Sequence, residues 1–564
     1  MLFSSKDTLR WLFLKLFGYR SKIFLLSFLQ SCSVLINILY AFLFKFLIDS
    51  ASSSDYQNLV FYCVLLFIFL FLQNLLTAYF RRIQEKAYVD IENLLKADIL
   101  DSIILKDFSY VSNVHSGEWM NKITNDVSVI AKNAVTLIPN SVSIFLHITF
   151  SIVVLGLLSS DFLFFSLFLF CLILCIEIVF YKKVKIYHKD VQEKDGYLRS
   201  FIQECINSVT IVKTYQKVDF INKEFADYAN EYRDARLKKN YFSVLMNFLF
   251  GIGINGMLIL GIVYCAYGIY HQTLGYGTLV AVLHLISQMK SPLANMYVNI
   301  PNYYSMIGSA ERLMESEKYD SDEAVIGKDF YAFYENEYKE LEIKDLCFEY
   351  RGLDNERQVI DDFCMNIEKG DFIAISGPSG CGKSTLFKLL LCLYKPSNGS
   401  ILLKTDEKDY ILSNSWRKLF AYVPQDNQLM KGSIKDVVCF GDEYDKTKME
   451  QSLKISCCAE FIDKLPQGID YPLKEKGNGL SEGQMQRISI ARAIYSDRPI
   501  LLLDEATSAL NEELEYEIMN NLKKMTDKTV LFISHHRNTM KYADKIIICN
   551  EEDGVYKWKA DDLK

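Results

Sequence analysis

The chain of 564 residues is poor in proline, in paired cysteines and in basic tracts. Only 9 residues are proline, whereas 38 are phenylalanine and 35 are tyrosine, so intrinsic disorder is excluded. The 14 cysteines are scattered from Cys32 to Cys549 without a CxxC pair, which argues against structural zinc and favours reduced thiols. The formal net charge is −7 and no basic tract could follow a phosphate backbone, so nucleic acid is not an expected partner.

The composition lies between that of a soluble enzyme and that of a membrane protein. Half of the residues (50%) are hydrophobic and 23% are charged, with a mean hydropathy of +0.09. Such an average indicates a chain with two unlike halves. The first half contains apolar runs that are long enough to cross about 30 Å of hydrocarbon. They predict six membrane spans, at residues 23–48, 59–80, 137–158, 161–181, 243–269 and 278–302.

Basic residues indicate on which side of the membrane each connection lies. They precede span one and follow spans two and four, for example at Lys22, Arg82 and Lys183. Because lysine and arginine are retained on the cytoplasmic side, we predict that both termini are cytosolic. The long connections 82–136 and 182–242 then lie on the same side, where their polar but helical pattern predicts two helical hairpins.

Polar residues recur at helical spacing in spans one, five and six. One interpretation is hydrogen bonding and close packing between helices. The other is a cavity wall that accepts an amphiphilic solute, with Lys290 the strongest candidate because a cation inside a span is energetically costly. The candidate cavity residues are Gln30, Asn37, Asn247, Asn255, His284, Gln288, Lys290, Ser291 and Asn295.

The second half contains a glycine-rich loop between an apolar strand, Phe372–Ser376, and a helix that starts near Ser384. Backbone N–H groups of such a loop wrap phosphates, and Lys383 and Ser384 are placed to neutralise the β- and γ-phosphates and to bind Mg²⁺. Cys381 lies inside the loop, so we expect thiol alkylation to block ATP hydrolysis and ATP to protect. The predicted phosphate-binding residues are Gly377, Pro378, Ser379, Gly380, Cys381, Gly382, Lys383, Ser384 and Thr385.

Two further strands carry acidic and imidazole groups to one edge of the predicted sheet. The strand at 500–503 is followed by Asp504, which can hold Mg²⁺ through water, and by Glu505, which is placed to polarise an attacking water. Two adjacent carboxylates at a buried strand end cost free energy to bury. This cost favours a functional over a structural interpretation of the pair. The strand at 530–533 leads to His535, a candidate contact of the γ-phosphate.

A helix N-terminus with an S-x-x-Q capping box is predicted at Ser481–Gln484. Such an end is suited to an anion, since unpaired N–H groups and the helix dipole both point outward. Within one chain it would duplicate the glycine-rich loop. We therefore predict that it faces the nucleotide of a second chain.

Together these motifs resemble, in content and order, an ATP-binding cassette (ABC) exporter half-transporter. The resemblance implies a six-helix transmembrane domain of the domain-swapped exporter type, fused to an α/β P-loop nucleotide-binding domain. It also implies roles for individual residues. Tyr350 stacks on adenine, Gln425 senses and binds Mg²⁺, Glu505 is the catalytic base, His535 is the switch histidine, Lys383 assists catalysis, and Ser481, Gly483 and Gln484 clamp the partner's ATP.

The resemblance also assigns coupling segments and shows three departures. The stretches around Gly117 and Val212 resemble the two coupling helices, and residues 309–313 match the exit from span six. Glu482 replaces the usual glycine of the signature, Asn511 replaces an aspartate, and His536 replaces an arginine. The catalytic residues are retained, so we expect a working ATPase.

The predicted domain organisation has four parts. They are an amphipathic interfacial helix at 1–22, a transmembrane domain at 23–308, a linker at 309–340 and a nucleotide-binding domain at 341–564.

We predict a homodimer that exports an amphiphilic peptide, drug-like compound or lipid across a cytoplasmic membrane, with ATP and Mg²⁺ as cofactors. ATP binding would favour the closed dimer and hydrolysis would reset it, an alternating-access cycle. The alternatives are one half of a heterodimer, a lipid flippase, or an ATP-gated channel or sensor. The composition suits a bacterial protein.

Overall fold

The protein is described by a computed structural model with two compact units. The helical unit comprises residues 1–104 and 115–318, and the α/β unit comprises residues 105–114 and 319–564. The residues described are 5–114, 116–158, 183, 186–317, 322, 330–351, 356–426, 429–474, 479–534, 536–552 and 555–562.

Long helices dominate the first half of the chain. The 50-residue α3 runs for about 75 Å at 1.5 Å per residue, so it continues far beyond the predicted end of span two. The helices are α1 (Ser5–Leu16), α2 (Arg20–Ser52), α3 (Tyr56–Leu105), α4 (Phe108–Asn113), α5 (Ser116–Asn121), α6 (Val127–Leu158), α7 (186–207), α8 (Val209–Thr214), α9 (Val218–Tyr270) and α10 (Tyr276–Glu317).

Four helical stretches of the described chain are long and apolar enough to cross a membrane. They are Lys6–Ser52, Tyr56–Leu105, Gly117–Leu158 and Val218–Tyr270, and each contains one predicted span. The predicted span at 161–181 lies outside the described residues. The sixth predicted span, at 278–302, lies in α10, which is helical throughout. Its apolar run is interrupted by polar residues and by Pro292 and Pro301.

The core of the helical unit lies where α2, α6 and α10 pack together, with Ala41, Ile148 and Leu285 among its buried residues. Further along α10, the Asp126 carboxylate at the end of a π-turn (Lys122–Asp126) is buried. Arg312 donates to both of its oxygens, from Nε at 2.9 Å and from Nη2 at 2.5 Å. Helix α10 continues to Glu317, so residues 309–317 are helical where the sequence suggested a linker.

The α/β unit contains a six-stranded sheet in the order β12-β11-β3-β10-β9-β6, in which every neighbouring pair except β11–β12 is parallel. A four-stranded antiparallel sheet has the order β2-β1-β4-β5, and β7 pairs with β8. The strands are β1 (Glu340–Arg351), β2 (Glu356–Glu368), β3 (Phe372–Ser376), β4 (Asn398–Lys404), β5 (Tyr410–Ile411), β6 (Phe420–Val423), β7 (Gly432–Ser433), β8 (Pro472–Leu473), β9 (Ile500–Asp504), β10 (Thr529–Ile533), β11 (Lys545–Glu552) and β12 (Val555–Asp562).

Helices cover the six-stranded sheet, whose adjacent interior strands β10 and β9 are buried along their whole length. Parallel strands of this kind are apolar on both faces, which explains the uninterrupted apolar runs in the sequence. The carboxyl ends of β3, β6, β9 and β10 meet at one edge, where ligands bind in open α/β sheets. The helices are α11 (Phe330–Asn336), α12 (Lys383–Leu390), α13 (Ile434–Cys439), α14 (Lys446–Ile455), α15 (Ala459–Ile462), α16 (Glu482–Tyr495), α17 (Glu512–Lys523) and α18 (Arg537–Met540).

The short helix α4 belongs to the α/β unit although it follows α3 in the chain. Asp107 caps it by accepting a hydrogen bond from the Ser109 N–H at 2.9 Å. Its Phe108 ring contacts Tyr394 edge-to-face, with 5.7 Å between centroids. A segment of the first half of the chain is therefore part of the second unit.

Candidate functional site

The glycine-rich loop joins β3 to α12, as the sequence predicted. Gly382 caps α12 in the left-handed conformation (φ 103°), and a Cβ there would lie 2.2 Å from Val359 Cγ1, so only glycine fits. Lys383, the first residue of α12, is buried and donates from Nζ to the carbonyls of Gly377 (2.9 Å) and Pro378 (3.0 Å). The loop thus holds an ammonium group at the N-terminus of a helix, where an anion is stabilised.

Cys381, the thiol expected to be the site of inhibitory alkylation, is fully buried in the loop. The thiol of Cys549, on the adjacent strand β11, is also buried and donates to the Cys381 carbonyl at 3.9 Å. A hydrogen bond from Cys549 and the nearby Lys383 lower the pKa of Cys381 to about 7, against the effect of burial. The thiol is therefore acidic but shielded, and reagents reach it only if the loop opens.

Both oxygens of the buried Asp504 carboxylate have a donor. Ser384 Oγ donates to Oδ1 at 3.0 Å, and Tyr422 Oη donates to Oδ2 at 3.1 Å. Burial raises the pKa of Asp504, while these two hydrogen bonds lower it. The hydroxyl of Ser384 and the carboxylate of Asp504 offer the hard oxygen ligands that Mg²⁺ prefers.

Glu505 follows β9 in the left-handed conformation (φ 51°), which is uncommon for a residue with a side chain. Its Oε2 accepts a hydrogen bond from Gln425 Nε2 at 2.8 Å, so Gln425 reaches the second acidic residue and not the first. Unusual backbone conformations of this kind cluster at functional sites. The geometry brings Gln425, Asp504 and Glu505 to one edge of the sheet.

The predicted capping box is present at the start of α16. Ser481 Oγ accepts from the Gln484 N–H at 3.3 Å, and Gln484 Oε1 accepts from the Ser481 N–H at 2.9 Å. The helix begins at Glu482, which is exposed. A Cβ on Gly483 would lie 3.0 Å from the Ala509 carbonyl oxygen, so glycine permits a close approach here.

A buried glutamine, Gln486 of α16, forms two hydrogen bonds with the loop that follows Glu505. Gln486 Nε2 donates to Ser508 Oγ, and Gln486 Oε1 accepts from the Ala509 N–H, both at 3.0 Å. Asn511, which departs from the family pattern, caps α17 by accepting from the Leu514 N–H at 3.0 Å. This cap accounts for an asparagine at that position, because its side chain is a preferred helix N-cap.

The Tyr350 ring lies close to the phosphate loop. Its hydroxyl lies 2.9 Å from Thr385 Oγ1, and its ring contacts Tyr394 edge-to-face at 5.6 Å. Tyr350 is 36% exposed, which leaves surface for a stacking partner. His535 lies outside the described residues, and the next residue, His536, is exposed.

The candidate cavity residues are only partly brought together in the helical unit. Asn37 contacts polar residues of two other helices. Gln73 donates to its side-chain oxygen at 2.6 Å, and His284 Nε2 lies 3.3 Å from its backbone oxygen. Gln30 donates to Ser143 at 3.5 Å. Gln288 is half-buried, and the side chain of Asn295 is not described. The residues with exposed side chains are Asn247, Asn255, Lys290 and Ser291.

Sequence reasoning missed Tyr422, Gln486 and Cys549 as neighbours of the site. Each reaches the site from an element that is distant in sequence, so no spacing rule identifies it. The strand order of the sheet is the missing information, because β6 lies beside β9 and β11 lies beside β3.

Two family profiles match this chain. The family described as ABC transporter transmembrane region matches residues 23–293, and the family described as ABC transporter matches residues 360–508. The matches follow each other in the predicted order and together cover most of the chain. The chain therefore belongs to the ABC transporters. It is an exporter half-transporter, a membrane protein whose ATPase is coupled to transport.

Individual relatives agree with this assignment. A Rickettsia bellii protein with the provisional name of export ATP-binding/permease protein is 28% identical over 516 residues, 87% of this chain and 84% of that protein. The ATP-dependent permease MDL1 of Candida albicans is 30% identical over 390 residues, 66% of this chain and 55% of that protein. The predicted exporter-type fold is confirmed by the structure of a bacterial Atm1-family ABC exporter with ATP bound. The two structures superpose with a TM-score of 0.79 at 22% sequence identity. The superposition covers 97% of this chain and 95% of the exporter chain.

Proposed function

We propose that two copies of this chain form a homodimer that exports an amphiphilic substrate across a bacterial cytoplasmic membrane by alternating access. The substrate is a peptide, a drug-like compound or a lipid. Both termini and the ATPase unit are cytosolic in this proposal. ATP binding closes the paired ATPase units, and hydrolysis lets them separate.

The exposed N-terminus of α16 is the observation that carries the dimer. This 14-residue helix begins with a complete capping box at Ser481 and Gln484, and Gly483 lies against the loop that follows Glu505. The phosphate loop of the same chain already supplies a helix N-terminus, at Lys383. A second anion-binding end is useful if it completes the ATP site of another copy, with Ser481, Gly483 and Gln484 as the clamp.

The proposed catalytic roles follow from the geometry of the sheet edge. Lys383, held inside the phosphate loop, neutralises the β- and γ-phosphates, and Tyr350 stacks on adenine. Glu505 acts as the general base toward water, with its carboxylate oriented by Gln425. His535 contacts the γ-phosphate.

The residues at the sheet edge fit a magnesium ion. Ser384 Oγ and Asp504 Oδ1 lie 3.0 Å apart, and both oxygens can serve as metal ligands. The family resemblance adds Gln425 as a third candidate ligand. When bound, Mg²⁺ would stabilise negative charge that develops on the phosphates. The chain's own contribution is to hold these oxygens in place.

We propose that Asn37, His284 and their neighbours form the polar wall of the substrate path. Asn37 and His284 already contact each other across α2 and α10, and Gln30 reaches α6. Polar groups at such positions accept the polar part of an amphiphile, while the surrounding apolar residues accept the rest. Lys290 adds a positive charge, which favours an anionic or zwitterionic substrate.

The deciding experiment uses the purified full chain. Its mass in detergent and its Mg²⁺-dependent ATPase activity are measured, and then the ATPase of proteoliposomes is screened with peptides, drugs and labelled lipids. We expect a dimer with ATPase activity that an amphiphile stimulates, and transport that requires ATP.

Two of the following results would contradict the proposal, and the third, movement of lipid alone, would narrow its substrate class to lipids. A monomer without activity would indicate that the chain needs a different partner chain. Movement of labelled lipid alone, with no response to peptides or drugs, would indicate a flippase. ATPase that no compound stimulates, together with ATP-gated ion flux, would indicate a channel.

A further inference from the structure

Tyr422 contacts the acidic site from a neighbouring strand. Its hydroxyl donates to Asp504 Oδ2 at 3.1 Å, while Ser384 donates to Oδ1 at 3.0 Å. Asp504 is 2% exposed, so few water molecules are available to replace either donor. The carboxylate is thus held from both sides, once by the phosphate-loop helix and once by β6.

The sheet register explains why Tyr422 reaches this carboxylate. Tyr422 on β6 is paired with Leu502 on β9 in parallel register. Residues two apart on a strand point to the same face, so Leu502 and Asp504 share the face that Tyr422 occupies. The Tyr422 ring is also held edge-to-face by Phe387 of α12, at 6.5 Å between centroids.

The same short segment supplies the partner of the second acidic residue. Gln425, three residues after Tyr422, donates to Glu505 Oε2 at 2.8 Å. The end of β6 therefore orients both carboxylates, Asp504 through Tyr422 and Glu505 through Gln425. The two hydroxyl groups that donate to Asp504 have different proposed roles. The Ser384 hydroxyl is also a ligand of the proposed metal, whereas the Tyr422 hydroxyl only donates to the carboxylate.

We propose that Tyr422 is a positioning residue for the divalent metal: it orients the Asp504 carboxylate before the ion binds. This inference rests on the proposed Mg²⁺ site and extends it by one residue. Hydrogen-bond partners of metal ligands typically contribute 10- to 100-fold to metal affinity. Because Ser384 remains as the other donor, we expect the lower end of this range, roughly tenfold.

The test measures metal binding by the full-length protein with Mn²⁺ as an EPR-visible substitute for Mg²⁺, in the presence of a non-hydrolysable ATP analogue. The variants are Tyr422→Phe, Asp504→Asn and the control Tyr516→Phe, which removes a hydroxyl from an exposed tyrosine on α17. Affinity for the analogue in EDTA is measured in parallel. We expect Tyr422→Phe to weaken Mn²⁺ binding about tenfold, with no change in the control or in the EDTA measurement.

The outcomes separate this inference from the metal site on which it rests. If Asp504→Asn binds Mn²⁺ like the wild type, the proposed metal site is wrong, and the role of Tyr422 is wrong with it. If Asp504→Asn loses Mn²⁺ but Tyr422→Phe stays within about twofold of the wild type, only the role of Tyr422 is overturned. An equal loss of analogue affinity in EDTA would also overturn it, since that would show a general defect of the nucleotide site.

Discussion

The two units of this chain place their polar residues in different ways. In the α/β unit, Lys383, Asp504 and Glu505 lie at one sheet edge, and each forms a hydrogen bond with a nearby residue. In the helical unit, Asn37 and Gln30 pair with polar residues of neighbouring helices, while Asn247 and Lys290 are exposed.

This difference reflects what each unit has to recognise. The site for ATP requires fixed donors at fixed distances, and a parallel sheet supplies them at its carboxyl edge. Helices that pack in a membrane require polar pairs for their own association, so a polar residue there does not by itself indicate a ligand. Local motifs therefore indicate the ATPase chemistry well and the substrate poorly.

Glu505→Gln should have the largest effect. The amide keeps the size of the side chain but removes the proposed base, which typically contributes 10²- to 10⁴-fold. We expect phosphate release to fall by about that factor, while ATP binding is retained. The matched control is Glu513→Gln at the exposed start of α17. Normal turnover by Glu505→Gln would rule out this assignment.

Arg312→Ala tests the two-pronged contact between Arg312 and Asp126 in the helical unit. It leaves the buried Asp126 carboxylate with Ser309 as its remaining side-chain donor in the described contacts. The Arg312 side chain is 52% exposed, so water screens part of this ion pair, and loss of its donors to the buried carboxylate should cost about 1–3 kcal/mol. We expect a clearly lower thermal unfolding midpoint in detergent.

Two comparisons make the Arg312 result interpretable. Arg233→Ala breaks an exposed pair with Asp234 and should cost less than about 1 kcal/mol. The double variant Asp126→Leu with Arg312→Leu removes both charges and should be more stable than Arg312→Ala. Equal midpoints for Arg312→Ala and Arg233→Ala would show that the pair between Arg312 and the buried Asp126 carboxylate does not stabilise the unit.

Substituting one glycine in each unit sharpens the comparison between them. In Gly483→Ala the new Cβ lies 3.0 Å from the Ala509 carbonyl oxygen, whereas in Gly253→Ala no described atom beyond the adjacent residues and the local helix backbone lies within 4 Å. Small misplacements at a catalytic site can reduce rates strongly, and we expect ATPase activity roughly tenfold lower for Gly483→Ala. Gly253→Ala should keep its activity, and equal losses in both variants would contradict the close-contact explanation.

The smallest effect concerns the pH dependence of alkylation at Cys381. Its pKa is lowered to about 7, so the reactive thiolate dominates above that pH and is lost as the pH falls below it. Burial keeps the rate low throughout. Peptide mapping with iodoacetamide should show a rate that rises a few-fold through pH 7 and then levels off.

Two checks accompany the alkylation measurement. Burial raises the pKa of Cys457 to about 11, so its rate should keep rising to higher pH. ATP should slow the reaction at Cys381 by holding the loop closed. A rate at Cys381 that keeps rising like that of Cys457 would contradict the lowered pKa, and ATPase inhibition that persists in Cys381→Ser would assign the effect to another thiol.

The parts of the site that were predictable are those encoded within a few consecutive residues. The glycine-rich loop, the capping box at Ser481–Gln484 and the pair Asp504-Glu505 depend on local spacing, and the structure has each of them beside the expected strand or helix. Partners on other strands were not predictable. Tyr422 is 82 residues from Asp504, and only the order of β6 and β9 brings them together.

The two halves of the chain, the apolar helices, the phosphate loop and the family are predictable from the residues alone, because hydrophobic periodicity and short motifs are local properties. The tertiary structure decided three further features. It gave Asp504 a second donor, buried the Cys381 thiol beside Cys549, and placed α4 in the α/β unit. Each of these depends on contacts between segments far apart in the chain, which packing selects and local pattern does not record.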